Sequence, residues 1–503
     1  MSRVDDPVRY APAVQSRVNA ARVRTVVSER AHGTATPGGE DRESHLQRWC
    51  LGLLVAAFVG QGLLFITLTP PWQAPDEPSN LGAIARLAHV TNLGPTHRGV
   101  PDAIYYSEIQ YRMAEVIAWP PPALQPSAQP LPVATPSGAS PTAPAPVASP
   151  PADTPRFGMH SGTLSLYNIL AVPAFVAGSP AGILGALYAV RALGVLLGAL
   201  AVVFTFFLAR ELRLGGSVFP ALAAAAVAFV PQFGFITASV NKDSLAAASG
   251  AAALWLIARM ARRGVTPRGV TTAGAAVALG ALAKPTLLAL AVPLAVTAAL
   301  AASLTGRRRE ATRLVGGIAV ALVLIGGAAA VLPVHALGYV RVLTHSHALA
   351  VAHVLTQRDV LIYTFTTFWG DFSWLNAPLS SLTYAGLFVL TVAAAAGVIR
   401  FAVRRGRALT VQDPAAVAIL GGLVAAVAAF AGVIVVGQAN GFGSQGRFLF
   451  PVIAAIAVLL ALGFTHLFPA LARRHGVVLA LLAAGGFDLL ILLRQFPDRF
   501  GIL

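Results

Sequence analysis

Cysteine is nearly missing. Cys50 is the single one in 503 residues, which excludes an intrachain disulfide and a cysteine-based metal site. Charge is also scarce, at 11% of the chain against 56% hydrophobic residues, where ordinary soluble domains carry roughly 25% charged residues. A soluble enzyme is therefore excluded. No Walker-type phosphate loop occurs, so nothing here points to ATP hydrolysis. Acidic residues number 20 against 36 basic ones, a net charge of +16. That excess does not imply nucleic acid as a partner, because the arginines lie in short connectors between long apolar runs, where membrane topology accounts for them.

The apolar runs set the organisation. The first 48 residues hold eight arginines and no apolar stretch long enough for a signal-peptide core, and are expected to form a disordered cytoplasmic tail. Leu51 to Thr69 then supplies the roughly 20 apolar residues a bilayer crossing needs. Further runs lie near Ile183 to Leu208, Val218 to Ala238, Leu245 to Ile257, Thr271 to Ala283, Leu287 to Leu304, Leu314 to Leu332, Leu382 to Ile399, Ala415 to Val436, Phe448 to Leu467 and Val477 to Leu493. The expectation is an all-α polytopic membrane domain over 49–503 with about eleven transmembrane helices. Leu164 to Ala177, short and containing Pro173, reads as interfacial or re-entrant.

Arg-rich connectors recur at alternate loops, which places them and the N terminus in the cytoplasm. Two large loops, 70–182 and 333–381, are left on the outer face, bearing short amphipathic helices. Within the first, 120–155 holds thirteen prolines and reads as a flexible polyproline-type insertion. Gly194, Gly198 and Ala201 stand at helical spacings that let neighbouring helices approach closely.

The acidic pair Asp76-Glu77 follows the first crossing, between Pro75 and Pro78. Two carboxylates on a stiff turn at the membrane surface suit a general base or a divalent-metal ligand. They would equally suit the start of the next helix, where negative charge is favourable. Arg86 and His89 lie on that helix. The outer-face cations are few: Lys242 beside Asp243, Lys284 in a short turn, and Arg447 after Gln445 and a Gly-rich stretch. Each could bind phosphate, or snorkel or pair with an outer acid. The stretch His335, Arg341, His345, His347, His353, Arg358, Asp359 reads as an amphipathic helix, since His345 and His347 are not at helical ligand spacing. Trp369 and Trp374 belong to an interfacial aromatic belt or stack on a sugar ring.

Pro75-Asp76-Glu77-Pro78 after the first helix resembles the bacterial membrane-protein family called domain of unknown function 2142, and more loosely the first outer loop of the GT-C glycosyltransferase superfamily. Asn241-Lys242-Asp243-Ser244-Leu245, Phe368 to Asn376 and Gln445-Gly446-Arg447-Phe448-Leu449-Phe450-Pro451 match that family in the same order. The resemblance covers roughly Leu51 to Leu467. It implies a GT-C-like enzyme of the bacterial inner membrane that moves a sugar, with inversion, from a polyprenyl-phosphate-linked donor to a cell-envelope glycan or lipid acceptor at the extracytoplasmic face. Asp76 would then be base or metal ligand, with Glu77 as supporting ligand or alternative base and Mg or Mn as the metal. A flippase of lipid-linked saccharides and a non-catalytic scaffold remain alternatives at this stage. Against the flippase, the helices show almost no central acids or lysines of the kind that couple transport to ions.

Overall fold

The computed structural model describes residues 37–94, 96–97, 100–110, 165–214, 216, 218–306, 354, 356–439, 443–472 and 474–495. Two compact units are distinguished, 1–50 and 51–503. Of the first, the described part is helical. The proline-rich insertion, the histidine stretch up to His353 and the run Leu314 to Leu332 lie outside the described residues.

Helix α1 (Pro37–Leu68) enters the membrane domain, and a loop with three prolines leads to α2 (Glu77–Ala88). After a two-stranded ribbon, β1 (Thr96–His97) with β2 (Val100–Pro101), comes α3 (Asp102–Gln110). Helix α4 (Leu166–Gly178) starts at a capping box, in which the Ser165 side chain accepts from the Asn168 backbone and the Asn168 side chain accepts from the Ser165 backbone. It is followed by α5 (Gly182–Leu212), and Leu166–Leu212 is one long, predominantly apolar helical stretch. This stretch is not one straight rod. A Cβ on Gly178 would lie 2.3 Å from the Gly185 carbonyl oxygen, whereas seven residues of straight helix rise about 10 Å. The chain therefore turns at Ser179–Ala181, and Tyr167 and Phe175 join Leu187 and Val190 in one core.

Helices α6 (Phe219–Ala228) and α7 (Pro231–Thr237) meet at a 63° bend. Pro231 explains the break: it lacks a backbone N–H and disfavours helical geometry in the preceding residue. Then come α8 (Asp243–Arg263), α9 (Pro267–Ala283), a 3-10 turn (Pro285–Leu290) and α10 (Ala291–Leu304). Next come α11 (Arg358–Trp369) and a ribbon of β3 (Asp371–Phe372) with β4 (Ala377–Pro378). Helices α12 (Ser381–Gln412) and α13 (Pro414–Ala439), a 3-10 segment (Gly446–Val452), α14 (Ile453–Leu467) and α15 (Arg474–Leu490) complete the order.

Helix α8 is central, packed on α5, α9, α10 and the 3-10 segment. Its apolar window is 72% buried, against 22% for α12, which faces outward. Small residues permit the tight packing: a Cβ on Gly194 would lie 2.3 Å from the Thr237 carbonyl oxygen, and one on Gly250 1.9 Å from that of Pro451.

Among the described residues seven helical stretches are long and apolar enough to cross a bilayer, or eight if α6 with α7 counts as one. The fold class is thus an all-α membrane protein, but eleven crossings are not established. Helices α9 and α15 have 17 residues each, short of the roughly 20 that a full crossing needs.

Candidate active site

The loop between α1 and α2 is held in an unusual shape. Trp72 and Asp76 have φ of 68° and 65°, a left-handed conformation that non-glycine side chains rarely adopt. Trp72 is over-determined by its neighbours. Its N–H donates to Glu77 Oε2 (3.1 Å), its indole donates to Ser107 Oγ (2.6 Å), and its carbonyl accepts from the Trp374 indole (2.9 Å). Strain of this kind persists only where the surroundings fix it.

Glu77 and Asp76 point to different tasks. Glu77 is fully buried and takes two 2.8 Å bonds from Arg191, plus the N–H groups of Trp72 and Val240. All of its accepting capacity serves the scaffold, so the structure places it as an anchor and not as a second base. Asp76 precedes α2 but makes no side-chain cap bond. Its carboxylate is 44% exposed and lies 2.8 Å from Arg447 Nη1.

Around that pair the chain closes a chain of alternating charge. Arg447 Nη1 is 3.9 Å from Asp243 Oδ2, and Asp243 Oδ1 accepts from Lys284 Nζ at 2.5 Å. Arg447 Nε donates to Gln445 Oε1 at 2.5 Å, and both Lys284 and Arg447 lie against the Phe448 ring. The Val240–Asp243 loop is tied to the Asp76 loop by Asn80 donating to the Val240 carbonyl (3.1 Å) and Asn241 donating to the Pro75 carbonyl (3.2 Å). Gly446 presses α11 so closely that a Cβ would lie 2.1 Å from the Thr364 carbonyl oxygen, and its N–H donates to Thr367 Oγ1. Sequence segments more than 150 residues apart in the chain therefore converge on Asp76.

Charge decides the electrostatics. Lys242, Lys284 and Arg447 outnumber Asp76 and Asp243 by one, a net positive cluster that favours an anion. Desolvation raises the Asp76 pKa, but Arg447, Lys242 and Lys284 outweigh it and hold the carboxyl below the usual value. Burial lowers the Lys284 pKa against the pull of Asp243. Burial, with the Asp371 charge, pushes Tyr363 up to about 12, so its phenol stays protonated at neutral pH.

A divalent cation does not fit this donor set. Glu77 is committed to Arg191, Asp76 and Asp243 face cations, and among the described residues no three His, Cys, Asp or Glu side chains converge. No step is derived through a metal.

The family model described as "Predicted membrane protein (DUF2142)" matches residues 59–456. The chain belongs to this family. No curated relative matches it. It is similar to crystal structures of the Archaeoglobus fulgidus oligosaccharyltransferase. For the form tethered with an acceptor peptide, identity is 17%, coverage is 67% of this chain and 46% of that one, and the TM-score is 0.37. For the apo form, identity is 17%, coverage is 67% and 48%, and the TM-score is 0.38. The chain thus spans less than half the length of that protein.

In this DUF2142 chain, Asp76, Lys242, Asp243, Lys284, Gln445 and Arg447 are brought together. Arg86 and His89 are not: they sit in the last turn and at the C-cap of α2, about 15 Å or more of helix rise from Asp76. Trp374 is engaged through its indole N–H with Trp72, and Trp369 stacks edgewise on Phe365 and Phe368. Arg191 was absent from the expectation. Its signal was a lone arginine in an otherwise apolar run, which inside a membrane marks a paired or functional charge.

Proposed function

We propose that this membrane protein is a GT-C-like glycosyltransferase. It moves a sugar from a polyprenyl-phosphate-linked donor to a cell-envelope glycan or lipid acceptor at the outer face of a bacterial inner membrane, with the N terminus in the cytoplasm. The observation that carries the reading is a half-exposed carboxylate, Asp76, set against a cluster with one excess positive charge. Arg447 and Lys242 bind the donor phosphate through charge-assisted contacts. Asp76 takes the proton of the acceptor hydroxyl as its oxygen attacks the anomeric carbon. The new glycosidic bond forms, the anomeric carbon–oxygen bond to phosphate breaks, and polyprenyl phosphate leaves with the electron pair. A single displacement inverts the configuration.

The test is sugar transfer by the purified protein in nanodiscs, with labelled polyprenyl-phosphate sugars and envelope-lipid extract, with and without EDTA. Asp76→Asn should lower transfer by about a hundredfold or more with the fold intact, and EDTA should not matter. Transfer retained in Asp76→Asn removes Asp76 from the chemistry. Saturable donor binding with no transfer from any donor favours a flippase.

A further inference from the structure

A general base works best with a pKa near the operating pH, yet Asp76 is clamped by a guanidinium that suppresses its basicity. The same clamp obstructs the phosphate site. Arg447 has a side chain only 5% exposed. Its Nε is bound by Gln445, its flank lies on Phe448, and its Nη1 lies between Asp76 and Asp243. Asp243 is 2% exposed and already holds Lys284. Of the two carboxylates at Nη1, Asp76, 44% exposed, is the one open to solvent. An anion that pairs with Arg447 Nη1 must take the place of Asp76.

We propose that Asp76 is a built-in competitor for the phosphate site: a lipid phosphate displaces it from Arg447 Nη1, and the displacement frees its carboxylate to accept a proton. The second half rests on the glycosyltransferase reading; the competition does not. Lys242, whose side chain makes no hydrogen bond or ion pair among the described residues and which acts electrostatically on Asp76, supplies the charge that draws the phosphate in. The base is then active only with donor in place, which imposes an order of donor before acceptor. The shared chemistry is a phosphate ester on a lipid, from a polyprenyl carrier or a bilayer phospholipid.

The experiment is binding of undecaprenyl phosphate to the full chain in phosphatidylcholine nanodiscs. Wild type, Asp76→Asn, Asp76→Gly and Arg447→Gln are compared, each checked for thermal unfolding. Asparagine and glycine both tolerate the left-handed backbone at this position. Removing the competing charge should tighten binding about five- to tenfold in both Asp76 variants, a moderate factor because Asp76 is partly screened by water. Arg447→Gln should abolish binding. Unchanged or weaker binding in folded Asp76→Asn and Asp76→Gly overturns the proposal, as does absence of saturable binding in all four proteins. A parallel titration with phosphatidic acid separates the sources. Equal tightening means the site reads phosphate alone, and tightening confined to undecaprenyl phosphate means it reads the carrier; both sustain the competition. Tighter binding with transfer retained in Asp76→Asn would sink the base reading and leave the competition standing.

Discussion

Arg191 and Glu77, 114 positions apart, meet in a two-pronged pair with both bonds at 2.8 Å and both side chains fully buried. Arg191 also donates to the carbonyls of Ile66, Thr69 and Pro70. These include groups that the end of α1 leaves without helical partners. One guanidinium therefore terminates α1 and fixes the residue next to Asp76.

Breaking that pair from one side leaves an uncompensated buried charge, which costs about 3–5 kcal/mol. Arg191→Met and Glu77→Leu should each lower the thermal midpoint sharply in nanodiscs, and the double variant should lose less than the sum of the two. A double variant that is fully additive would show that the pair does not couple. Even where folded protein is recovered, Glu77→Leu should lose transfer, because Val240 and Trp72 lose their shared acceptor.

The apolar runs made α1, α8, α12, α13 and α14 legible, because length and hydropathy alone specify such helices. The acidic pair was legible as a site but not as two tasks. Which carboxylate is buried depends on Arg191 and Val240, whose distances along the chain exceed anything a local pattern encodes. Hydropathy averaging hid Arg191 for the same reason: one charge barely alters the mean of a 31-residue helix. The cations were visible as residue types, while the alternation of Asp76, Arg447, Asp243 and Lys284 required four separate segments to be folded together.

The depressed Asp76 pKa gives a definite pH dependence. A carboxyl whose folded pKa lies below its unfolded value adds stability above the ordinary carboxylate pKa, and loses it as pH falls through the folded value. Wild type should therefore melt above Asp76→Asn at pH 6, with the gap closing only below about pH 4. A gap that closes between pH 5 and 7 would mean that Arg447 does not hold the carboxyl down. With a phosphate lipid bound, the closing point should move upward, because Arg447 then serves the ligand.

Gly446 tests whether α11 must touch the Arg447 segment. A Cβ there would lie 2.1 Å from the Thr364 carbonyl oxygen and 2.4 Å from the Phe368 nitrogen, both backbone atoms that cannot rotate away. Gly446→Ala should destabilise by about 1–3 kcal/mol, as overpacking does, and should weaken donor binding, since Arg447 is the next residue. Gly52→Ala, with nothing within 4 Å of the new methyl, should do neither. Equal behaviour of the two variants in thermal melts would mean that α11 and the 3-10 segment separate freely.

Arg262 offers the complementary case, a stabilising contact remote from the site. It donates from Nε to the Glu211 carbonyl (2.8 Å) and from Nη2 to the Leu212 carbonyl (3.1 Å), and its Nη1 pairs with Asp413, which in turn accepts from the Ala416 N–H beginning α13. The end of α5 and the start of α13 are thereby clasped to the last turn of α8. Arg262→Met leaves two carbonyls and a carboxylate without this donor and should cost about 2–3 kcal/mol. Asp243 stands at the opposite end of the same helix, nearly 20 residues away and so about 28 Å along its axis. The variant should melt earlier yet bind undecaprenyl phosphate with unchanged affinity at temperatures where it is folded. A loss of affinity there would show that α8 transmits the position of its Arg262 end to the Asp243–Lys284 pair.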